Sequence, residues 1–131
     1  MSYTILCIED QTDNMMLVRR IFQWRSYTLL EARTGLEGLF IAEHHEVDLI
    51  LLDINLPDID GYEVARRLRA NRKRQLASVP IIAVTANAMK YDAQKVFDAG
   101  CNVYMAKPIN IMELLERVEA LLAEEARGIT L

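Results

Sequence analysis

With 131 residues, 52% hydrophobic and 26% charged, the chain suits one globular domain with ample material for a core. A net charge of −4 supplies no global basic field for nucleic acid. No apolar run approaches the roughly 18 residues of a bilayer span, and the opening MSYTILCIED lacks the basic segment and cleavage site of a secretory signal.

The first apolar run, YTILCI (3–8), predicts a strand and gives way to Glu9-Asp10. A helix follows, with Leu17, Val18, Ile21 and Phe22 on one face, which Trp24 is expected to close. YTLLEA (27–32) predicts the second strand. Thr34, three before Glu37, reads as the cap of a second helix whose apolar face is marked by Leu36, Leu39 and Phe40. His44-His45 reads as a solvated loop. LILL (49–52) predicts the third strand and stops at Asp53. Asp60, three before Glu63, caps the third helix, with Val64, Ala65 and Leu68 inward, while Asp58 stays in the loop as a bystander at the rim.

Arg66, Arg67, Arg69, Arg72, Lys73 and Arg74 form a local basic cluster, read as a solvated helix face and loop. Pro80 precedes IIAVT (81–85), the fourth strand, whose last residue is Thr85. Ala93, Val96 and Phe97 mark the fourth helix, ended by Gly100. VYMA (103–106) is the fifth strand and leads into Lys107. Asn110 with Glu113 caps the last helix, marked by Leu114, Leu115, Val118, Leu121 and Leu122. Cys7 and Cys101 form no metal-type or redox-type pair and are expected as reduced core thiols of a cytoplasmic protein.

Short, mostly non-alternating apolar strands are those covered on both faces. Their alternation with helices gives (βα)₅: a parallel sheet with right-handed crossovers and helices on both sides. All C-terminal strand ends of such a sheet share one edge, where ligands bind. Glu9, Asp10, Asp53, Thr85 and Lys107 therefore converge there. Three carboxylates repel one another, and a hard divalent cation such as Mg²⁺ is the simplest compensation. A carboxylate surrounded by a cation, an ammonium and a hydroxyl suits phosphoryl transfer, with an Asp as candidate nucleophile.

At this point the chain resembles the response-regulator receiver domains, the CheY-like family, from about Tyr3 to Leu122. IED (8–10), LLDINLPDIDG (51–61), VTANAM (84–89) and YMAKPI (104–109) carry the resemblance. It implies a flavodoxin-like doubly wound sheet in the order 2-1-3-4-5. By position, Asp53 resembles the phospho-acceptor, and Glu9 and Asp10 the acidic pair that holds Mg²⁺. Asn55 matches the residue whose main-chain oxygen completes the metal site. Thr85 and Lys107 match the hydroxyl and amine that meet the phosphoryl group. Ala86 is the small residue that leaves it room, and Tyr104 the switch aromatic. Pro108 would follow a cis peptide, and Gly61 would open the third helix. Asn55 and Asn87 stand at two variable positions that tune phosphoryl lifetime; neither is charged, which implies hydrolysis slower than in the fastest members of the family. Glu-Asp replaces the more frequent Asp-Asp pair, and Asp58 and Ile59 stand where methionines are frequent.

The resemblance implies a histidine kinase or histidine phosphotransfer protein as donor. It also implies a protein target on the face of the fourth helix, fifth strand and fifth helix, with no nucleic acid or membrane partner. The stretch 84–109 is most similar to stand-alone single-domain receivers of the DivK type and to receivers of hybrid kinases. A single receiver domain over 1–131, with a core of about 3–122, is the expectation; a domain excised from a larger regulator is the alternative. A haloacid-dehalogenase-like phosphatase shares the chemistry, but its nucleophile follows the first strand and is trailed by a second Asp two residues on, where this chain has Asn55. A receiver fold that no longer switches is a further rival.

Overall fold

Five strands, β1 (Thr4–Ile8), β2 (Thr28–Ala32), β3 (Leu49–Asp53), β4 (Ile81–Thr85) and β5 (Val103–Ala106), form one parallel sheet in the order β2-β1-β3-β4-β5. The computed structural model describes residues 2–86 and 90–126, apart from the side chains of residues 90–92 and 126. Within these bounds the helices are α1 (Thr12–Gln23), α2 (Gly35–His44), α3 (Gly61–Arg69), α4 (Arg74–Ala77), α5 (Lys90–Asp98) and α6 (Ile111–Ala126). The parallel (βα)₅ sheet follows from the sequence pattern, and its doubly wound strand order is the one the resemblance implies. The one-turn α4 follows from neither, and the fourth and fifth helices of the sequence reading are α5 and α6.

Successive strand side chains point to opposite faces. Ile5 and Cys7 pack with Leu49, Leu51, Ile82 and Val84 against α1 and α6. Leu6 and Ile8 pack with Ile50, Leu52, Ile81 and Ala83 against α2, α3 and α5. Each strand thus feeds two cores, so its apolar residues run consecutively. Both cysteines are free and buried, and burial pushes each thiol pKa up.

The three anticipated caps form. Thr34 accepts from the Glu37 N–H at 3.0 Å, Asp60 from Glu63 at 2.9 Å and Asn110 from Glu113 at 3.0 Å. Gly100 closes α5 at φ 109°, a conformation that favours glycine.

Helix α2 is turned differently from expectation. Its buried residues are Gly35, Gly38 and Ala42, while Leu36 and Phe40 are 53% and 63% exposed. A Cβ on Gly38 would collide with Ile8. The small residues let the helix lie close on the sheet, and the large ones are displaced outward. Phe40 instead stacks on His44, with ring centroids 4.2 Å apart. Trp24 is 74% exposed because Phe22 already fills the end of the apolar face of α1, edge-on to Tyr27. Helix α1 starts beside Glu9-Asp10, and its 12 residues carry Trp24 about 18 Å along the axis, away from that edge.

One arginine of the basic cluster is structural. Arg69 is partly buried and donates to the carbonyls of Gly100 (2.8 Å) and Ala77 (3.2 Å) and to Asn102 Oδ1 (2.9 Å). It ties α3 to α4 and to the turn before β5. Arg66 and Arg67 remain on the surface, paired with Glu63.

Candidate functional site

The strand order reverses between β1 and β3, which opens a crevice at their C-terminal ends. Ile8 pairs with Leu52, Asp53 with Val84, and Thr85 with Ala106. That register brings Glu9, Asp53, Thr85 and Lys107 to one edge. Glu9, Asp53 and Thr85 are the buried polar residues among those described. Carboxylate oxygens of Glu9, Asp10 and Asp53 lie within 4.8 Å of one another.

Lys107 Nζ stands 3.1 Å from Glu9 Oε1 and 3.3 Å from Asp53 Oδ2. Glu9 Oε2 accepts from the Gln11 N–H at 3.1 Å, and Asp53 Oδ1 from the Asn55 N–H at 3.0 Å. Asp53 Oδ2 is buried and accepts no hydrogen bond among the described residues. Burial, reinforced by the Glu9 charge, pushes the Asp53 carboxyl up to about 7, although the Asn55 N–H and Lys107 oppose the rise. Burial works against the Lys107 charge, yet Asp53 and Glu9 together hold its ammonium above the usual lysine value. One ammonium therefore serves a cluster of carboxylates. An all-oxygen donor set in which buried Asp53 Oδ2 has the Lys107 ion pair but no hydrogen bond among the described residues suits a hard divalent cation.

Thr85 Oγ1 lies 3.5 Å from Asn55 Oδ1, so the hydroxyl faces the same crevice. The Lys107 N–H bonds the Thr85 carbonyl at 2.8 Å, holding the ends of β4 and β5 together. The Lys107–Pro108 peptide is cis, as the resemblance implies. Ala86 is exposed just beyond Thr85. Tyr104 is partly buried against the core beneath α2, α3 and α5. Asn87 lies outside the described residues. A groove of about 380 Å³ between the end of α2 and α4, lined in part by His45, Lys73 and Arg74, contains none of these groups.

The loop after Asp53 is held at both ends. Gly61 N–H bonds the Ile54 carbonyl at 2.9 Å, and a Cβ on Gly61 would come within 2.7 Å of the Asp53 carbonyl oxygen and Ile54 Cα. Those are main-chain atoms and cannot swing aside. Gly61→Ala is expected to cost about 2–3 kcal/mol, read as a lowered denaturation midpoint. At the loop tip, Asp58 is not the bystander expected from sequence. Its two carboxylate oxygens accept the N–H groups of Gly35 and Leu36, each at 2.8 Å. Desolvation opposes its ionisation, but those N–H groups hold the carboxyl below the usual range. The partners lie 22 and 23 residues away, so no local motif announces them.

A family model for the response regulator receiver domain matches residues 5–119. The polar-differentiation response regulator DivK of Brucella ovis is 37% identical over 124 residues, covering 95% of this chain and 99% of that protein. Among solved structures, the receiver domain of sensor histidine kinase PA1611 from Pseudomonas aeruginosa, with a magnesium ion in its active-site cleft, superposes with a TM-score of 0.85. It is 32% identical and covers 94% of this chain and 99% of that one. The receiver domain of Ssk1 from Saccharomyces cerevisiae, solved with the histidine phosphotransfer protein Ypd1, belongs to a structure matching with a TM-score of 0.87 at 26% identity, covering 95% and 92%. With a shared fold, a family match over most of its length and a carboxylate-lined crevice at the expected strand ends, the chain belongs to the response regulator receiver family of two-component signalling.

Proposed function

We propose that Asp53 accepts a phosphoryl group from a phosphohistidine of a histidine kinase or histidine phosphotransfer protein. The observation that carries this reading is the buried Asp53 carboxylate, with one oxygen lacking a hydrogen bond, beside Lys107 and a second carboxylate. In the transfer, an Asp53 oxygen forms a bond to phosphorus, the phosphorus–nitrogen bond breaks, and the imidazole leaves with the electron pair and takes up a proton. Lys107 stabilises charge on the phosphoryl oxygens, and Thr85 donates its hydroxyl to the product. Ala86 leaves room at the rim. Glu9, Asp10, Asp53 and the Asn55 carbonyl are the residues that would hold Mg²⁺, as the cleft of the Pseudomonas aeruginosa receiver holds magnesium. When bound there, the ion supplies positive charge opposite the transferring phosphoryl group.

Phosphorylation then biases two packings of one fold. Thr85 moves toward the phosphoryl group, and Tyr104 turns into the space it leaves. The face built from α5, β5 and α6 repacks and binds a protein target. The domain comprises the whole of 1–131 and works in the cytoplasm; no helix among the described residues is long and apolar enough to cross a membrane. Service as one receiver of a longer kinase is the second reading, favoured by the likeness to a sensor-kinase receiver. The chemistry is stoichiometric phosphoryl acceptance followed by self-catalysed hydrolysis, without turnover of an external substrate.

Intact mass after incubation with acetyl phosphate and Mg²⁺ tests the proposal. One phosphoryl group per chain, absent when a chelator replaces Mg²⁺, is the expected result. An unchanged mass, or repeated turnover of a phosphomonoester, defeats it.

A further inference from the structure

The loop between β3 and α3 carries Asn55, which touches the site twice. Its N–H bonds Asp53 Oδ1, and its side-chain oxygen faces Thr85 Oγ1. The neck of this loop is closed by the Gly61–Ile54 hydrogen bond. Its tip has a separate anchor. The Asp58 carboxylate spans the first two N–H groups of α2. Ile59 lies against the same point, since a Cβ on Gly35 would meet its side chain at 2.7 Å. Helix α2 does not need Asp58 as its only cap, because Thr34 already accepts the Glu37 N–H. The Asp58 bonds thus serve both elements: they satisfy two N–H groups of the helix that Thr34 does not reach, and they fasten the loop tip to it.

We infer that Asp58 is a positioning residue: by fastening the loop tip to the N-terminus of α2, it holds the Asn55 main chain where the cation and phosphoryl site needs it. This rests on the proposed role of Asp53 and Asn55. Two fixed ends leave Asn55 little freedom, so its carbonyl is preorganised before any ligand arrives. Without the Asp58 bonds the loop keeps the neck and the apolar packing of Leu56 and Ile59, but loses its hydrogen bonds to α2. Asn55 then samples other orientations, and ordering it becomes a cost of binding. The link also makes the start of α2 a point from which the site is adjustable, because anything that shifts that helix end pulls on the loop.

The test compares Asp58→Ala with Thr34→Ala, both in the full chain. Each strips a cap from the same helix terminus, but only the first frees the loop. Titration calorimetry with Mg²⁺ alone is expected to show about 10-fold weaker binding for Asp58→Ala. Thr34→Ala is expected to change it by less than about twofold, since its loss is confined to helix stability. Hydrogen exchange at the Asn55 amide should quicken in Asp58→Ala and not in Thr34→Ala. Asp58→Asn, which keeps one acceptor oxygen, should fall between wild type and Asp58→Ala. Equal effects in the two alanine variants would mean that Asp58 acts only through α2, and no effect in Asp58→Ala would return it to the rim; either outcome overturns the inference. If the wild type neither binds Mg²⁺ nor accepts a phosphoryl group, the proposed function fails, while exchange at Asn55 still decides whether Asp58 holds the loop.

Discussion

Asp53→Asn is expected to abolish the phosphoryl adduct, reducing labelling by acetyl phosphate at least ~10³-fold, as loss of a nucleophile does. The substitution keeps the shape of the side chain. Its amide oxygen still accepts the Asn55 N–H that now meets Oδ1, so the loop stays in place and only the nucleophile disappears. Stability should separate from activity in this variant. In wild type, burial and the Glu9 charge raise the Asp53 carboxyl from the ordinary 3.8 to about 7. A carboxyl raised on folding binds its proton more tightly in the native state, so its stabilising contribution is present below pH 4 and is lost as pH rises through 7. In the presence of a chelator, Asp53→Asn should lack that decline and be no less stable than wild type at pH 7.5. Thermal denaturation across pH 4 to 8 measures this. An equal adduct on wild type and variant would remove Asp53 from its role.

Lys107→Ala carries the second largest expectation. Loss of a preorganised donor to developing charge slows such transfers by about 100-fold, and labelling of Asp53 should fall by that order. The variant should also lose stability when divalent cations are chelated. Lys107 is the ammonium between Glu9 and Asp53, both almost fully buried. Removing one partner of a buried pair leaves unpaired charge and costs several kcal/mol. Proton uptake by Asp53 and the position at the sheet edge reduce the expected loss to about 2 kcal/mol. Addition of Mg²⁺ should recover more stability in the variant than in wild type, because a cation replaces the missing positive charge. Denaturant midpoints with and without Mg²⁺ check this; identical Mg²⁺ responses in the two chains would show that Lys107 does not balance these carboxylates.

Much of this site is legible residue by residue because a parallel sheet turns sequence order into spatial order. Each of β1, β3, β4 and β5 must end on the same edge, so the polar residues at Glu9, Asp53, Thr85 and Lys107 are brought together by topology alone. The caps at Thr34, Asp60 and Asn110 are equally readable, since a cap and its partner N–H lie three residues apart. The loop tip is another matter. Asp58 looks like one more loop acid, and its partners become visible only when α2 is packed beside the loop.

Helix α2 shows the same division. Its amphipathic pattern placed Leu36 and Phe40 inward, but the helix buries Gly35, Gly38 and Ala42 instead, with Gly38 close upon Ile8 and Gly35 upon Ile59 and Val64. Arg69, read as one charge in a basic stretch, is drawn inward by the carbonyls of Gly100 and Ala77, which no local pattern encodes.

The sequence by itself determined the order of strands and helices, the two-faced core and the polar residues at the C-terminal edge of the sheet, because these follow from periodicity, short-range capping and the common direction of parallel strands. Only the tertiary structure decided how closely α2 lies on the sheet, which oxygen of Asp53 meets the Asn55 N–H and which meets Lys107, and where the Asp58 carboxylate is anchored. Those features depend on contacts between residues remote in sequence, whose distances exist only once the chain has packed.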